Sequence, residues 1–494
     1  MTSDYKIRSV KFNFVMSMIM KISSYIFPLI TLPYITRTLG AAANGKISFA
    51  TSVIAYFSMF AQLGIPTYGI RECAKCRDDK DKLTKTVQEL LIINSVSVVL
   101  SYVALTIAMI LVPKFHEEPT LLIIQSLTIL LNMIGMDWLY QAIEQYQYIT
   151  ARNIGFKALS VALMFLLIHN PSDYILYNGL TVLSASGSYI LNFINSRKIL
   201  AHKTYRGQYN FKQHLKPIFV FFSLSVAVSV YTSLDTVMLG FMSTDEEVAF
   251  YSLGTKIKMV LATTVSALGP VLLPRITYVL GRGEEDKFRR YIKKSLHFVL
   301  LMALPFTVYF TVMAGPVIQI LGGNEYLPAT ACMQIINFTI IPLGVGNIAA
   351  SQILTPKRKE IYSMYATLYG AVVDFVLNWF FIPRFGAAGA AAATVVTEWV
   401  VAFVQMRHSW DDLKPAFKEI PYMKMLVSNV VSAGALWVVN RFLPELNALV
   451  ILVVTVLVYF IVYGLVLLVM KDDLVVDYGI PVIKNFFHIG VRHS

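Results

Sequence analysis

The residues best placed to do chemistry in this sequence are charged side chains that interrupt long apolar segments. The basic ones are Lys21, Lys157, Lys256 and Lys258. A charged side chain inside a membrane-spanning helix costs about 2.5–3.5 kcal/mol, so each of them needs a compensating partner. Lys21 and Lys157 have no acidic residue at a matching depth except Asp137. A cation without such a partner predicts an anionic ligand, and lysine commonly binds phosphate as a point charge.

Alternatives remain open for several of these basic residues. Lys157 lies close enough to a segment end for its side chain to extend to the inner interface. Lys256 can pair with Asp235, so a structural ion pair explains it as well as a transport role does. Lys256 and Lys258 are separated by about 200° around a helix, so both cannot squarely face one cavity. Arg37, at a segment end rich in proline, is an anchor, a ligand or a gate. We predict that the residues binding the ligand are Lys21, Lys157, Lys256, Lys258 and Arg37.

Three carboxylates also lie within apolar segments, namely Asp235, Asp374 and Glu398. Acidic residues in membrane segments usually face a water-filled cavity or a partner, and they often serve ion or proton pathways. We therefore predict that these three residues bind or exchange an ion or a proton.

The elements that position these residues are predicted to be membrane-spanning helices. The 494-residue chain is 56% hydrophobic and only 14% charged, whereas soluble proteins contain about 25% charged residues. About 20 apolar residues cross a bilayer as a helix, which satisfies every backbone polar group internally. This composition excludes a soluble enzyme, a secreted disulfide scaffold and a disordered chain. We predict an all-α integral membrane protein with about fourteen spans, near residues 12–36, 47–66, 88–112, 119–140, 152–169, 174–195, 216–240, 249–273, 295–317, 327–355, 361–382, 386–406, 422–440 and 447–470.

The net charge of +13 is distributed unequally between the two sides of the membrane. With both termini in the cytoplasm, the cytoplasmic segments contain 33 of the 42 Lys and Arg residues, and the external loops contain 5. This bias follows the positive-inside rule. The basic residues therefore indicate topology and contact with anionic membrane lipids, not a nucleic-acid partner. The predicted location is the cytoplasmic membrane.

An internal repeat is indicated at a spacing near 200 residues. Leu39-Gly40 ends the first span and Leu239-Gly240 ends the seventh, and a Leu-Gly pair followed by proline closes the next span in each half. We predict a six-helix lobe over 1–195, a basic cytoplasmic linker over 196–216, a second six-helix lobe over 217–410, and two further helices with a cytoplasmic tail over 411–494. Two parallel lobes are typical of an alternating-access transporter.

Other patterns in the sequence do not predict an enzyme. The segment Gly40–Lys46 has the spacing of a phosphate-binding loop, but Ile47 replaces the required Ser or Thr and no strand precedes it. Cys73 and Cys76 have the spacing of a redox or metal pair without a second pair or a nearby histidine. A membrane glycosyltransferase or polymerase would need a large catalytic loop, and the external loops are too short. We predict no catalytic residue, cofactor or metal.

Six segments together resemble one family of transporters. They are Pro28–Gly40 (PLITLPYITRTLG), Gly64–Glu72 (GIPTYGIRE), Asp137–Glu144 (DWLYQAIE), Asp235–Gly240 (DTVMLG), Gly322–Tyr326 (GGNEY) and the region from Asn378 through PRFGAAGAA. Over roughly residues 8–470 the chain resembles the polysaccharide repeat-unit flippases of the Wzx type. This is the polysaccharide transport family of the multidrug/oligosaccharidyl-lipid/polysaccharide exporter superfamily.

The resemblance implies a substrate, an oligosaccharide on undecaprenyl pyrophosphate, which is moved to the outer leaflet for capsule, exopolysaccharide or O-antigen assembly. It also implies a cationic cavity for the pyrophosphate, an ion gradient or membrane potential as the energy source, and a polymerase and export machinery as partners. Two relatives remain as alternatives. Lipid II flippases typically have arginines in the first, second and eighth spans. In this chain the first span has Lys21 instead, the second has no basic residue, and the eighth has lysines. Drug exporters of the superfamily typically have acidic cavities for cationic drugs. The four lysines within apolar segments argue against that function.

Overall fold

A computed structural model describes residues 8–201, 207, 209–442 and 447–479. Within these ranges the protein consists of helices and connecting turns, without a β-strand. Ten helical segments of the described residues are long and apolar enough to cross a membrane, and a bent pair over Lys212–Ser229 and Tyr231–Met242 makes up to eleven. The prediction of an all-α membrane protein is confirmed.

Contacts divide the chain into two compact units, residues 1–249 and 250–494. The helices of the first unit are α1 (Val10–Gln62), α2 (Ile65–Lys75), α3 (Lys80–Leu111), α4 (Pro119–Gly135), α5 (Asp137–Ala142), α6 (Tyr146–Leu167), α7 (Tyr174–Val182), α8 (Tyr189–Ile199) and α9 (Lys212–Met242). A π-helical turn over Leu183–Gly187 joins α7 to α8. These two helices together occupy the predicted span 174–195.

Helix α10 (Asp245–Val265) begins in the first unit and continues into the second. The other helices of the second unit are α11 (Leu268–Gly281), α12 (Glu285–Val312), α13 (Ala314–Gly322), α14 (Ala329–Ile336), α15 (Ile340–Asn347), α16 (Ile361–His408), α17 (Trp410–Lys418), α18 (Tyr422–Phe442) and α19 (Ala448–Val469).

Helix α1 contains two predicted spans separated by a break at Gly40. Its 53 residues would extend about 80 Å if straight, while the hydrocarbon core is about 30 Å thick. Gly40 has φ 78° and ψ 178°, a backbone conformation that is essentially restricted to glycine. The Asn44 side chain donates a hydrogen bond of 2.7 Å to the Gly40 carbonyl oxygen at the break. The segment Gly40–Lys46, which has the spacing of a phosphate-binding loop, therefore begins at a helix break.

Helix α16 repeats this arrangement in the second unit. Its 48 residues include Gly386, with φ 52° and ψ −131°, at the predicted boundary between the spans 361–382 and 386–406. Since α1 and α16 each combine two predicted spans, the number of long helices is smaller than the number of predicted crossings. The total of fourteen crossings and the cytoplasmic position of both termini stay predictions.

Helix α9 follows the predicted boundary between the two lobes. The sequence places the boundary between lobes at the linker 196–216, before α9. In the structure α9 packs along α1, so contacts group it with the first unit. Close contacts occur at both ends of α9. Phe221 packs on Tyr68 in its N-terminal half, and the approach at its C-terminal end is described below. The lobes over 1–195 and 217–410, the linker over 196–216 and the two further helices over 411–494 stay predictions.

Candidate functional site

Lys157 is a buried cation whose hydrogen-bond partners are neutral. It projects from α6, its exposed fraction is 8%, and its Nζ donates to Ser24 Oγ at 2.7 Å and to Ser23 Oγ at 3.4 Å. Both serine hydroxyls donate their own hydrogen to the Met20 carbonyl oxygen, at 2.7 and 3.0 Å. Their lone pairs therefore face the ammonium group. Among the described residues, no carboxylate oxygen lies within 4.0 Å of Lys157 Nζ.

The face of α1 that holds Lys157 also carries Lys21. Lys21 lies three residues before Ser24, so the two side chains are neighbours on one helix face, and both are exposed. Asp137, the acidic residue that the sequence offered as a partner, is engaged elsewhere. Its Oδ1 accepts from Arg152 at 2.8 Å and from Asn192 at 2.7 Å. The structure thus brings two predicted lysines to one region of the first unit, with two serines that the sequence analysis did not single out.

Lys258 and Glu398 form an ion pair within the second unit. Lys258 Nζ on α10 lies 3.8 Å from Glu398 Oε1 on α16, and the side chains are 16% and 6% exposed. Lys256, two residues earlier on α10, has an exposed side chain. The two lysines therefore have different surroundings, as their spacing around the helix predicts. Lys258 was predicted as a substrate ligand and Glu398 as an ion-coupling residue, and the structure places them in direct contact.

The remaining predicted site residues are distributed over both units. Asp374 is buried on the first half of α16, and its Oδ1 accepts a hydrogen bond of 3.1 Å from Thr397 on the second half. Asp235 is buried on α9 in the first unit, while Lys256 belongs to the second. Their pairing stays a prediction. Arg37 is exposed on α1, one turn before the Gly40 break.

Two buried histidine–carboxylate pairs were missed by the sequence analysis. In the first unit, His214 Nε2 lies 2.8 Å from Glu89 Oε2 and its Nδ1 lies 2.7 Å from the Tyr68 hydroxyl. In the second unit, His297 Nε2 lies 2.9 Å from Asp472 Oδ2. The partners are 125 and 175 residues apart, so no local spacing could reveal them. Glu89 inside an apolar segment was the one available signal.

The cysteines and metal-ligating residues form no site in the parts of the chain that are described. Cys73 is buried and Cys76 is partly buried, and both are free thiols. Burial is the main cause that raises the pKa of the Cys76 thiol, so a smaller fraction of it is the reactive thiolate. No group of three or more His, Cys, Asp or Glu residues in the described ranges has a geometry that could hold a metal ion.

Comparison with protein families gives two matches. The model described as "Polysaccharide biosynthesis protein" matches residues 10–279, and the MatE model matches residues 221–380. Among curated proteins, the chain is 25% identical to the "Putative O-antigen transporter" of Escherichia coli strain K12 over 81% of this chain and 96% of that protein. The two family models together match residues 10–380, a range that includes every predicted site residue except Glu398.

Two solved structures share the fold. A lipid II flippase, MurJ, in an inward closed conformation superposes with a TM-score of 0.73 at 14% identity, covering 94% of this chain and all of that one. An inward-facing multidrug resistance transporter of the MATE family superposes with a TM-score of 0.59 at 13% identity, covering 80% of this chain and 96% of that one. At these identities the likeness concerns the fold alone.

Proposed function

Because the chain belongs to the polysaccharide biosynthesis protein family, we propose that it flips undecaprenyl-pyrophosphate-linked oligosaccharide repeat units. The direction is from the inner to the outer leaflet of a bacterial cytoplasmic membrane. The similarity to a protein named as an O-antigen transporter, over nearly the full length of that protein, supports this class of substrate. The product would supply the assembly of O-antigen, capsule or exopolysaccharide, with a polymerase and export machinery as partners.

The observation that carries this proposal is the environment of Lys157. An ammonium group has three N–H donors, and the two contacts of Lys157 with serine hydroxyls provide no compensating negative charge. A pyrophosphate would provide that charge and would also accept hydrogen bonds from Lys21 on the same face of α1. Both charge and geometry therefore favour an anionic headgroup next to α1 and α6. Lys256, Lys258 and Arg37 are proposed as further contacts of the substrate.

Asp235, Asp374 and Glu398 are proposed to couple flipping to an ion gradient or to the membrane potential. The contact of Glu398 with Lys258 supports this role, because protonation or ion binding at the carboxylate would change the charge that Lys258 experiences. Thr397, which precedes Glu398 in the sequence, donates a hydrogen bond of 3.1 Å to Asp374 on the other half of α16, which supports a shared role for the two carboxylates.

The test is flipping of a labelled undecaprenyl-pyrophosphate oligosaccharide by purified protein in proteoliposomes. We expect Lys157→Gln to reduce the flipping rate about 10- to 100-fold, which corresponds to losing one hydrogen bond to a charged group. Lys21→Gln should have a similar effect. Lys157→Arg and Lys21→Arg should retain more activity, because the positive charge is kept.

The matched control is Lys82→Gln, since the side chain of Lys82 is 76% exposed and contacts only the exposed Asp79 among its described neighbours. This variant should flip at the wild-type rate. If Lys157→Gln flips as fast as Lys82→Gln, the headgroup does not bind at this lysine. If the wild type does not flip the lipid at all, the proposed substrate is wrong.

A second candidate function, export of cationic drugs, is favoured by one observation. The MatE model matches residues 221–380, which include Asp235 and Asp374. A drug exporter should transport a cationic dye and should be insensitive to Lys157→Gln. Dye transport by proteoliposomes that do not flip the lipid would favour this candidate over the flippase.

A further inference from the structure

The C-terminal end of α9 and the turn into α10 cross α1 with their backbones in very close contact. A Cβ atom at Gly45 on α1 would overlap the backbone of Asp245, and a Cβ atom at Gly240 on α9 would overlap the ring of Phe49. Glycine is therefore required at both positions for this approach. Gly155 and Gly179, elsewhere in the same unit, have no neighbouring atom within 4 Å of a Cβ, so a close approach is not general to its glycines. Gly64, which follows α1, is a second point of close approach to the α9 backbone, at Phe221 and Phe222.

Three aromatic rings pack together beside this crossing. Phe241 on α9 lies 5.3 Å from Phe49 on α1 and 5.9 Å from Phe115, which follows α3, measured between ring centroids. Phe49 and Phe115 are 6.2 Å apart. Both are buried, whereas Phe241 is 48% exposed. Phe241 therefore covers the two buried rings, one on α1 and the other just after α3.

An ion pair connects the same segments at the surface. Lys114, after α3, lies 3.5 Å from Asp245 at the start of α10 and 2.7 Å from its neighbour Glu117. The side chains of Lys114 and Asp245 are 23% and 17% exposed. They line a shallow recess together with Lys46, Phe49, Ala50, Glu117, Glu118 and Leu122.

From these contacts we propose that Gly45, Phe49, Lys114, Phe115, Gly240, Phe241 and Asp245 form an outer clasp, an external gate that is closed in this structure. The inference rests on the proposed function, and it deepens that function by naming the residues that must separate before the headgroup reaches the outer leaflet. The distribution of Lys and Arg predicts that the loops at 113–118 and 243–245 are external. The clasp therefore fastens α9 to α1 and α3 at the predicted external side.

The strength of the contacts suits a gate that opens in every transport cycle. A partly exposed ion pair contributes little to stability, and Phe241 is 48% exposed even in the closed arrangement. No hydrogen bond between buried partners has to be broken among the described clasp residues. The two glycines instead make the closed position specific, because Gly45 admits the backbone of Asp245 and Gly240 admits the ring of Phe49.

The first test crosslinks the clasp in a variant whose Cys73, Cys76 and Cys332 are replaced by alanine. Lys114→Cys and Asp245→Cys are joined with a bifunctional methanethiosulfonate, whose spacer takes the place of the two side chains. We expect flipping to fall at least 10-fold and to return when a reductant removes the crosslink. The matched control joins Lys114→Cys to Glu117→Cys within one loop, and its rate should not change on crosslinking. Equal rates in the two crosslinked proteins would overturn the proposal.

A second test does not depend on the substrate. Ala50→Cys, a buried position lining the recess, reports opening through labelling by a membrane-impermeant thiol reagent added outside. We expect Gly45→Val, which prevents the close crossing, to raise the labelling rate several-fold, while Gly179→Val does not. Asp245→Lys, which repels Lys114 without changing the crossing, should also raise labelling, and Lys114→Asp should reverse that change. Unchanged labelling in both clasp variants would overturn the gate even if flipping is observed. A response in labelling without flipping would contradict the proposed substrate alone.

Discussion

Lys157 and Lys258 are two ammonium groups that this protein accommodates in different ways. Lys157 is surrounded by serine hydroxyls, which accept hydrogen bonds but carry no charge. Lys258 has a carboxylate partner, Glu398, on the neighbouring helix. The first arrangement leaves a positive charge available to an anionic ligand, and the second neutralises it. This difference supports substrate binding at Lys157, and it supports a coupling role for Glu398, whose charge would control when Lys258 is available to the substrate.

The pair of Lys258 and Glu398 gives a prediction at this scale. Glu398→Gln leaves Lys258 partly buried without its carboxylate, which should destabilise the protein by up to about 3 kcal/mol. The double variant Lys258→Gln/Glu398→Gln should recover part of that loss, because no buried charge remains. Thermal unfolding in detergent measures the stability, and flipping with and without an imposed ion gradient measures the coupling.

A structural role alone would produce a different result. If the double variant regains stability and also responds to the gradient like the wild type, Glu398 does not take part in coupling. A double variant that is folded but no longer responds to the gradient would support the coupling role.

Single glycines determine the shape of the longest helices. Gly40 and Gly386 each have a positive φ within a helix that is far longer than a membrane is thick. A side chain would be strained at either position, whatever space surrounds it. The break at Gly40 sets the direction of the second half of α1, which carries Gly45 and Phe49 of the outer clasp. The first half carries Lys21, Ser23 and Ser24.

We expect Gly40→Ala to lower the free energy of unfolding by about 1–3 kcal/mol, since alanine cannot adopt φ 78° and ψ 178° without strain. Gly155→Ala on α6 is the matched control. Gly155 is within a regular helix with no atom near its Cβ, so alanine should stabilise it by up to about 1 kcal/mol. Melting temperatures of the two variants in the same detergent provide the comparison, and equal melting temperatures would contradict the argument.

At the scale of the whole molecule, the distribution of Lys and Arg predicts how the chain is oriented in the membrane. Labelling of single cysteines can test that orientation. The loop 169–173 is predicted to be external and the start of α3 cytoplasmic. Ser172→Cys and Asp81→Cys are both exposed positions. In intact cells, in the variant without Cys73, Cys76 and Cys332, an impermeant maleimide should label only Ser172→Cys. Both should be labelled after permeabilisation, and labelling of Asp81→Cys alone in intact cells would reverse the topology.

Much of the helical architecture followed from the sequence. Apolar segments of membrane-spanning length have one backbone solution in lipid, because every N–H and C=O must be paired within the helix. The predicted segments 12–36 and 47–66 are the two halves of α1, and 361–382 and 386–406 are the two halves of α16. The cost of charge in lipid also identified Lys157, Lys258, Asp374 and Glu398 without any structural information.

What the sequence by itself determined was therefore the class of protein, its helices and the charged residues that need partners, since these depend on local composition and on the solvent that the chain meets. Only the tertiary structure decided which groups meet. Ser24 beside Lys157 joins residues 133 positions apart, and His297 beside Asp472 joins residues 175 positions apart. The attachment of α9 to α1 likewise depends on two glycines in different helices. Contacts of this kind depend on how helices cross, and the sequence of one helix does not by itself specify which helix it packs against.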